Sequence, residues 1–181
     1  MSGFEIFGSF FGLISIWLTV RASVWCWPTG IVSIVFLLVT YFEARLYADM
    51  VNYGVMLAVS IWGWILWVRG IQGTGRIRFA SRGARLVSVA AVAIGTPIMG
   101  FLFSRYTDAA LPWWDSLVNV LALVAQVLLA RKLVENWIFW MVSDVIAIGV
   151  YLAKGLYVVA GLYVVFIVFC VLGIREWLAK A

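Results

Sequence analysis

Residues 133–153 read LVENWIFWMVSDVIAIGVYLA, an apolar run interrupted by Glu135 near its start and Asp144 in its middle. A run of about 20 apolar residues at 1.5 Å per residue matches the hydrocarbon thickness of a bilayer. A carboxylate at the centre of such a helix costs roughly 2.5–3.5 kcal/mol to insert. The stretch therefore predicts a membrane-spanning helix, with an ionisable group near the midplane that calls for a function.

Working outward, six more apolar runs are predicted at about 4–20, 22–41, 47–68, 86–103, 112–130 and 156–174. The first lacks a basic leader and a cleavage site, so it is expected to be a retained span. The fold class is then an all-α polytopic membrane protein of seven transmembrane helices, a single membrane domain over 1–181. Composition agrees: of 181 residues 66% are hydrophobic and 12% charged, against about half and a quarter in soluble domains.

The same composition excludes function classes. There is no histidine, which removes Ser-His-Asp triads and the commonest metal ligand. Neither a phosphate-binding loop nor a dinucleotide fingerprint is present. No cofactor, no metal site and no enzymatic activity are expected. Cys26 and Cys170 lie within apolar runs and read as small packing residues. The net charge of +5 reads as membrane topology and not as a nucleic-acid surface, because the basic residues sit at the ends of runs.

Sorting those residues by alternate loops gives a lopsided distribution. One side holds Arg21, Arg69, Arg76, Arg78, Arg82, Arg85, Arg131, Lys132, Arg175 and Lys180; the other holds Arg45, Arg105 and Lys154. Basic loops stay in the cytoplasm, so the N-terminus is expected outside and the C-terminus inside.

Residues 110 apart match in register. Arg21 falls on Arg131, Trp27 on Trp137, Ser33 on Ser143, Tyr41 on Tyr151, Leu46-Tyr47 on Leu156-Tyr157, Tyr53 on Tyr163, Gly63 on Gly173 and Trp67 on Trp177. Chance pairing of Val and Leu does not yield such a series. The expectation is a duplicated three-helix unit, a first bundle over 4–70 and a second over 112–181, joined by a linking helix at 86–103. Copies that begin four spans apart cross the membrane in the same direction, and a substrate path between them follows.

Trp137, Trp140 and Asp144 fall at i, i+3 and i+7, on one helix face. Two indoles and a carboxylate suit a flat cationic ring, through stacking, cation–π attraction and charge pairing. The competing reading is an interfacial aromatic belt with Asp144 bonded to a neighbouring helix. In the first copy the corresponding residues are Trp27, Gly30 and Ile34, so the polar set is asymmetric.

The fifth run carries Asp115, read as a boundary or helix-capping group, and below it Asn119 and Gln126, which suit either interhelical hydrogen bonding or ligand contact. From the third run, Tyr53 and Ser60 are expected to line the path, with Asn52 and Trp64 weaker candidates and Asp49 and Trp67 at the boundaries. Trp27 and Tyr151, both members of matched pairs, complete the expected lining. Deep basic residues are missing, and a phosphorylated ligand would need them. The ligand is expected to be neutral or cationic.

Pro112-Trp113-Trp114-Asp115-Ser116, Ala130-Arg131-Lys132, Glu135-Asn136-Trp137-Ile138-Phe139-Trp140, Trp27-Pro28-x-Gly30, Leu46-Tyr47-Ala48, Gly63-Trp64-x-x-Trp67 and Gly173-x-Arg175-Glu176-Trp177 together resemble the Pnu-type bacterial vitamin transporters. The best-known branch of that family, PnuC, carries nicotinamide riboside. The resemblance covers nearly the whole chain, and its most specific part is the W-x-x-W-x-x-x-[N/D] element, which Trp137, Trp140 and Asp144 match.

The resemblance implies a SWEET-like 3+1+3 fold in the bacterial inner membrane and assembly as a homotrimer. It also implies facilitated uptake, with the vitamin trapped by a cytoplasmic kinase that need not touch the transporter. Several nicotinamide riboside transporters carry Asn where this chain has Asp144. An aspartate suits a pyridinium and the thiazolium of thiamine alike, and relatives that carry thiamine or riboflavin share the motifs. Proton-coupled symport, with Asp144 titrating, is the alternative mechanism. An intramembrane enzyme or assembly subunit is a remoter class, since Asp144 lacks a carboxylate partner on its own helix.

Overall fold

In the computed structural model the described residues are 3–43, 47–70, 75–107 and 110–181; the side chains of Glu5 and of residues 47–49 are not among what is described. Arg45 and Leu46, used above for topology and for the resemblance, lie outside the described residues, as do the side chains of Tyr47, Ala48 and Asp49.

Among the described residues seven helices follow one another: α1 Gly3–Val20, α2 Cys26–Glu43, α3 Tyr47–Arg69, α4 Arg82–Tyr106, α5 Pro112–Ala130, α6 Asn136–Ala153 and α7 Tyr157–Leu178. Six are long and apolar enough to cross a membrane, and in α1 the apolar stretch is Ile6–Val20. Their outward faces expose large apolar side chains such as Phe7, Trp17, Leu86 and Val158. Helices satisfy their own backbone groups, so this is the form in which such a chain can meet lipid.

Among the described residues the principal helix contacts are α1 with α2, α2 with α3, α3 with α5, α5 with α6, α6 with α7 and α7 with α1. Six helices thus close a ring, and α4 packs outside it against α5.

The second and sixth helices start later than the apolar runs predict, and the turns explain why. Ala22 and Lys132 adopt φ of 56° and 52°, the left-handed conformation that ends many helices. Ser23 N–H then donates to Leu18 O at 3.0 Å, and Ala22 N–H to Thr19 O at 2.9 Å. Leu133 and Lys132 repeat the pattern onto Leu128 O and Leu129 O, at 3.0 and 2.9 Å. Hydropathy registers the charges of both turns, Arg21, Arg131 and Lys132, but not the left-handed geometry that delays the next helix through the apolar residues after them.

The stretch before α4 is clasped onto the α5–α6 turn. Arg78 N–H donates to Lys132 O at 3.1 Å, and Val134 N–H to Arg78 O at 3.0 Å. Glu135 accepts from Ala80 N–H at 2.8 Å and from Arg85 Nε at 3.0 Å. Ser81 caps α4 by accepting from Ala84 N–H. That is why α4 begins at Arg82, four residues before its apolar run.

Candidate functional site

The ring encloses a cavity of about 320 Å³, to which all six ring helices contribute and α4 does not. That volume falls at the small end of ligand pockets. Among the described residues no lysine or arginine lines it.

Asp144 lies midway along α6, is 4% exposed and borders the cavity. Its Oδ2 receives the Cys170 thiol at 3.6 Å, a weak donor. The ion pairs among the described residues join Arg85 to Glu135, Lys154 to Asp115 and Lys180 to Glu176; none reaches Asp144. The carboxylate therefore faces the cavity without a cation of the protein's own.

Trp140 lines the cavity beside it. Trp137 also borders the cavity but is 2% exposed and seated on Gly173: a Cβ there would lie 2.4 Å from its ring. Trp27 and Gly63 repeat this contact, again at 2.4 Å. Behind them stand Trp67 and Trp177. The ring centroids are 5.5 Å apart for Trp27 and Trp67, 6.4 Å for Trp67 and Trp177, and 5.7 Å for Trp137 and Trp177.

Trp67 Nε1 donates to Ala130 O and Trp177 Nε1 to Thr19 O, each at 3.0 Å. These bonds tie α3 to the end of α5 and α7 to the end of α1. Four indoles thus pack together at the arginine-rich end of the bundle, and two of them, Trp27 and Trp137, border the cavity. Lys132 Nζ sits 4.3 Å from the centre of the Trp67 ring, and partial burial in the turn pushes its ammonium below the usual lysine range.

The amides stand at the α3–α5 seam. Asn52 Nδ2 donates to Asn119 Oδ1 at 2.9 Å, and Gln126 Nε2 to Ser60 Oγ at 3.0 Å. All four residues also line the cavity, so interhelical bonding and exposure to a ligand coexist here. Tyr53 borders the cavity and lies 4.9 Å from Tyr41. Tyr151 stands behind Tyr163, their rings stacked at 5.2 Å, and it is Tyr163 that faces the cavity. The repeat carries that signal, since the counterpart of Tyr53 is Tyr163.

Of the sequence-predicted lining, Trp27, Tyr53, Ser60, Asn119, Gln126, Trp137, Trp140 and Asp144 converge on this cavity, and Tyr151 supports it from behind. Asn52, a weaker candidate, is buried at the seam; Trp64 is 40% exposed on the outer face. Asp115, in the first turn of α5, pairs with Lys154 at 2.7 Å. Sequence reasoning missed Ser15, Thr19, Phe166 and Cys170, all of which border the cavity. Among the described residues no group of three histidine, cysteine or acidic side chains comes together to hold a metal ion.

Residues 2–179 match the model of a family described as nicotinamide mononucleotide transporter. The riboflavin/roseoflavin transporter RibM of Streptomyces davaonensis is 30% identical over 98% of this chain and 85% of its own length. The nicotinamide riboside transporter PnuC of Escherichia coli is 26% identical over 100% of this chain and 87% of its own length. A crystal structure of the vitamin B3 transporter PnuC superposes with a TM-score of 0.76 at 20% identity, covering 97% of this chain and 80% of that one. That likeness shows a shared fold.

Proposed function

The chain belongs to the nicotinamide mononucleotide transporter family, the Pnu-type proteins its motifs resemble, and from that premise we propose that it is a passive facilitator of nicotinamide riboside uptake. The observation that carries the reading is Asp144: a carboxylate midway along a membrane helix, bordering the cavity, with Trp140 beside it and, among the described residues, no cation paired with it. A pyridinium supplies the missing charge and an aromatic face for the indole. A mononucleotide would bring a phosphate into a cavity that, among the described residues, no lysine or arginine lines, which favours the unphosphorylated riboside.

The proposal includes a 3+1+3, SWEET-like architecture in the inner membrane, with the arginine-rich end in the cytoplasm. Support comes from the contacts at positions 110 apart and from the charge distribution. Assembly as a homotrimer and trapping by a cytoplasmic kinase follow from the family resemblance. Movement down a gradient needs no chemistry on the ligand and no cofactor. Riboflavin is the second reading, favoured by the 30% identity to RibM; its neutral ring would meet Asp144 as a hydrogen-bond acceptor.

Purified protein in liposomes, without ATP or an ion gradient, should admit labelled nicotinamide riboside, and Asp144→Ala should reduce entry at least tenfold, as expected on removing a charged hydrogen-bond acceptor. Entry of riboflavin or thiamine alone would change the substrate and keep the transport class. Entry that requires a pH gradient would replace the passive mechanism by proton coupling. Failure to move any of the three vitamins would overturn the reading.

A further inference from the structure

Five aliphatic hydroxyls border the cavity, and each donates its proton to a main-chain carbonyl. Ser15 Oγ donates to Cys26 O at 2.7 Å, Thr19 Oγ1 to Ser15 O at 2.8 Å and Ser33 Oγ to Gly8 O at 2.7 Å. Ser60 Oγ donates to Met56 O at 2.8 Å and Ser143 Oγ to Val118 O at 3.1 Å. A hydroxyl has one proton and two acceptor sites. With the proton fixed on the backbone, such a group offers the cavity an acceptor and nothing else.

Positions 110 apart separate two roles among the five. Ser33 and Ser143 make the same bond at the same chain spacing, to Gly8 O and Val118 O, and so fasten α2 to α1 and α6 to α5. Ser60 is already engaged, accepting from Gln126. Ser15 and Thr19 correspond to Ala125 and Leu129, so their hydroxyls have no counterpart in the second half; beside Thr19 stands the Cys26 thiol, a weak donor that competes poorly with a ligand hydroxyl. Across from them Gly30 stands where the second half has Trp140. A Cβ on Gly30 would lie 2.8 Å from Ser15 Oγ, so any side chain there would collide with that oxygen, and with glycine in place Ser15 borders the cavity.

We propose that Ser15 and Thr19 form an acceptor-only subsite on α1 that receives the hydroxyl protons of the ligand's sugar or polyol chain, while Trp140 and Asp144 hold its ring. The inference rests on the vitamin-transport reading and deepens it: the ligand is recognised as a donor-rich polyol joined to an aromatic ring. Buried acceptors discriminate against analogues without the matching hydroxyl, because the acceptor is then left unpaired.

The test compares Ser15→Ala and Thr19→Val with wild type, by tryptophan quenching with three probes. Nicotinamide riboside and riboflavin carry hydroxylated chains; N-methylnicotinamide keeps the pyridinium and has none. Each variant should bind the hydroxylated vitamin that wild type binds about three- to tenfold more weakly, the loss of one neutral hydrogen bond. N-methylnicotinamide should shift less than about twofold, within the scatter of substitutions that touch no ligand group. Ser33→Ala should lower thermal stability without this selectivity.

Equal weakening of all probes, or of none, would overturn the subsite. Should one variant not fold, the other decides. A wild type that binds neither hydroxylated vitamin fails the vitamin reading itself, a result visible before any variant is measured.

Discussion

Adding one methyl group at Gly173 should destabilise the protein through Trp137. The ideal Cβ of an alanine at 173 lies 2.4 Å from two atoms of the Trp137 ring, whereas ordinary contact begins at 3.4 Å. The ring must retreat by about 1 Å. Its retreat is restricted: it is 2% exposed and meets Trp177 edge-on at 5.7 Å, Trp177 is held by its bond to Thr19 O, and the space left to the ring is the cavity it borders.

Overpacking of this kind costs about 3 kcal/mol, the upper part of the usual range, and alanine's better helix propensity returns about 1 kcal/mol. The net loss of about 2 kcal/mol corresponds to a fall in Tm of roughly 4–8 °C for a chain of this size. Gly63→Ala should behave alike, since its Cβ lies 2.4 Å from Trp27. Gly54→Ala, with nothing within 4 Å, should leave Tm unchanged or raise it slightly. Thermal unfolding in detergent, followed by tryptophan emission, reads all three. If Gly173→Ala and Gly54→Ala unfold together, the indole-on-glycine contact does not constrain the helices as argued.

Three further outcomes are expected. Asp144→Asn keeps the side-chain shape but removes the charge, so affinity for a cationic vitamin should fall about tenfold or more while a neutral one shifts less; equal shifts in a binding titration would remove charge from the recognition. Glu135→Ala leaves Ala80 N–H without its acceptor and Arg85 without its partner, and should cost about 1–3 kcal/mol in urea unfolding, with earlier proteolysis in the stretch before α4. Ala22→Gly relieves a left-handed alanine and should stabilise by about 0.5–1 kcal/mol, the strain removed less the entropy added to the unfolded chain; a destabilised variant would contradict that balance.

The helices were legible because a bilayer demands long apolar runs, and hydropathy detects little else. Where a helix continued into polar residues, as α4 does back to Arg82, or where a turn carried on into an apolar stretch, as after Ala22 and Lys132, the boundary was set by capping and left-handed geometry. Asp144 was legible for a related reason, as a costly exception within a run. Ser15 and Thr19 were not, because a hydroxyl in a membrane helix can be silenced by a carbonyl, one turn back for Thr19 and on the next helix for Ser15, and which way it faces depends on the helix's rotation. Glu135 stood in a recognised motif, yet its partners Ala80 and Arg85 are some 50 residues earlier, beyond any local pattern.

The 110-residue register sorts scaffold from site more sharply than burial does. Residues that agree between the halves carry the framework: Trp27 and Trp137 on Gly63 and Gly173, Ser33 and Ser143 on the neighbouring helix, Trp67 and Trp177 across the seams. Several matched residues, Tyr53 and Tyr163 among them, also border the cavity, but those that disagree give it its asymmetry: Trp140 against Gly30, Asp144 against Ile34, Gln126 against Ile16, Ser15 against Ala125. On the proposed 3+1+3 architecture the halves of the ring are related by an approximate two-fold axis, and a ligand with an aromatic ring at one end and hydroxyls at the other has none. Binding it in one orientation requires the halves to differ where they touch it, while the closure of the ring requires them to match where they touch each other. The bulk of Trp140 opposite the missing side chain of Gly30 meets both demands at one pair of positions, which makes Gly30→Trp the substitution that should close the cavity while leaving every indole-on-glycine contact intact.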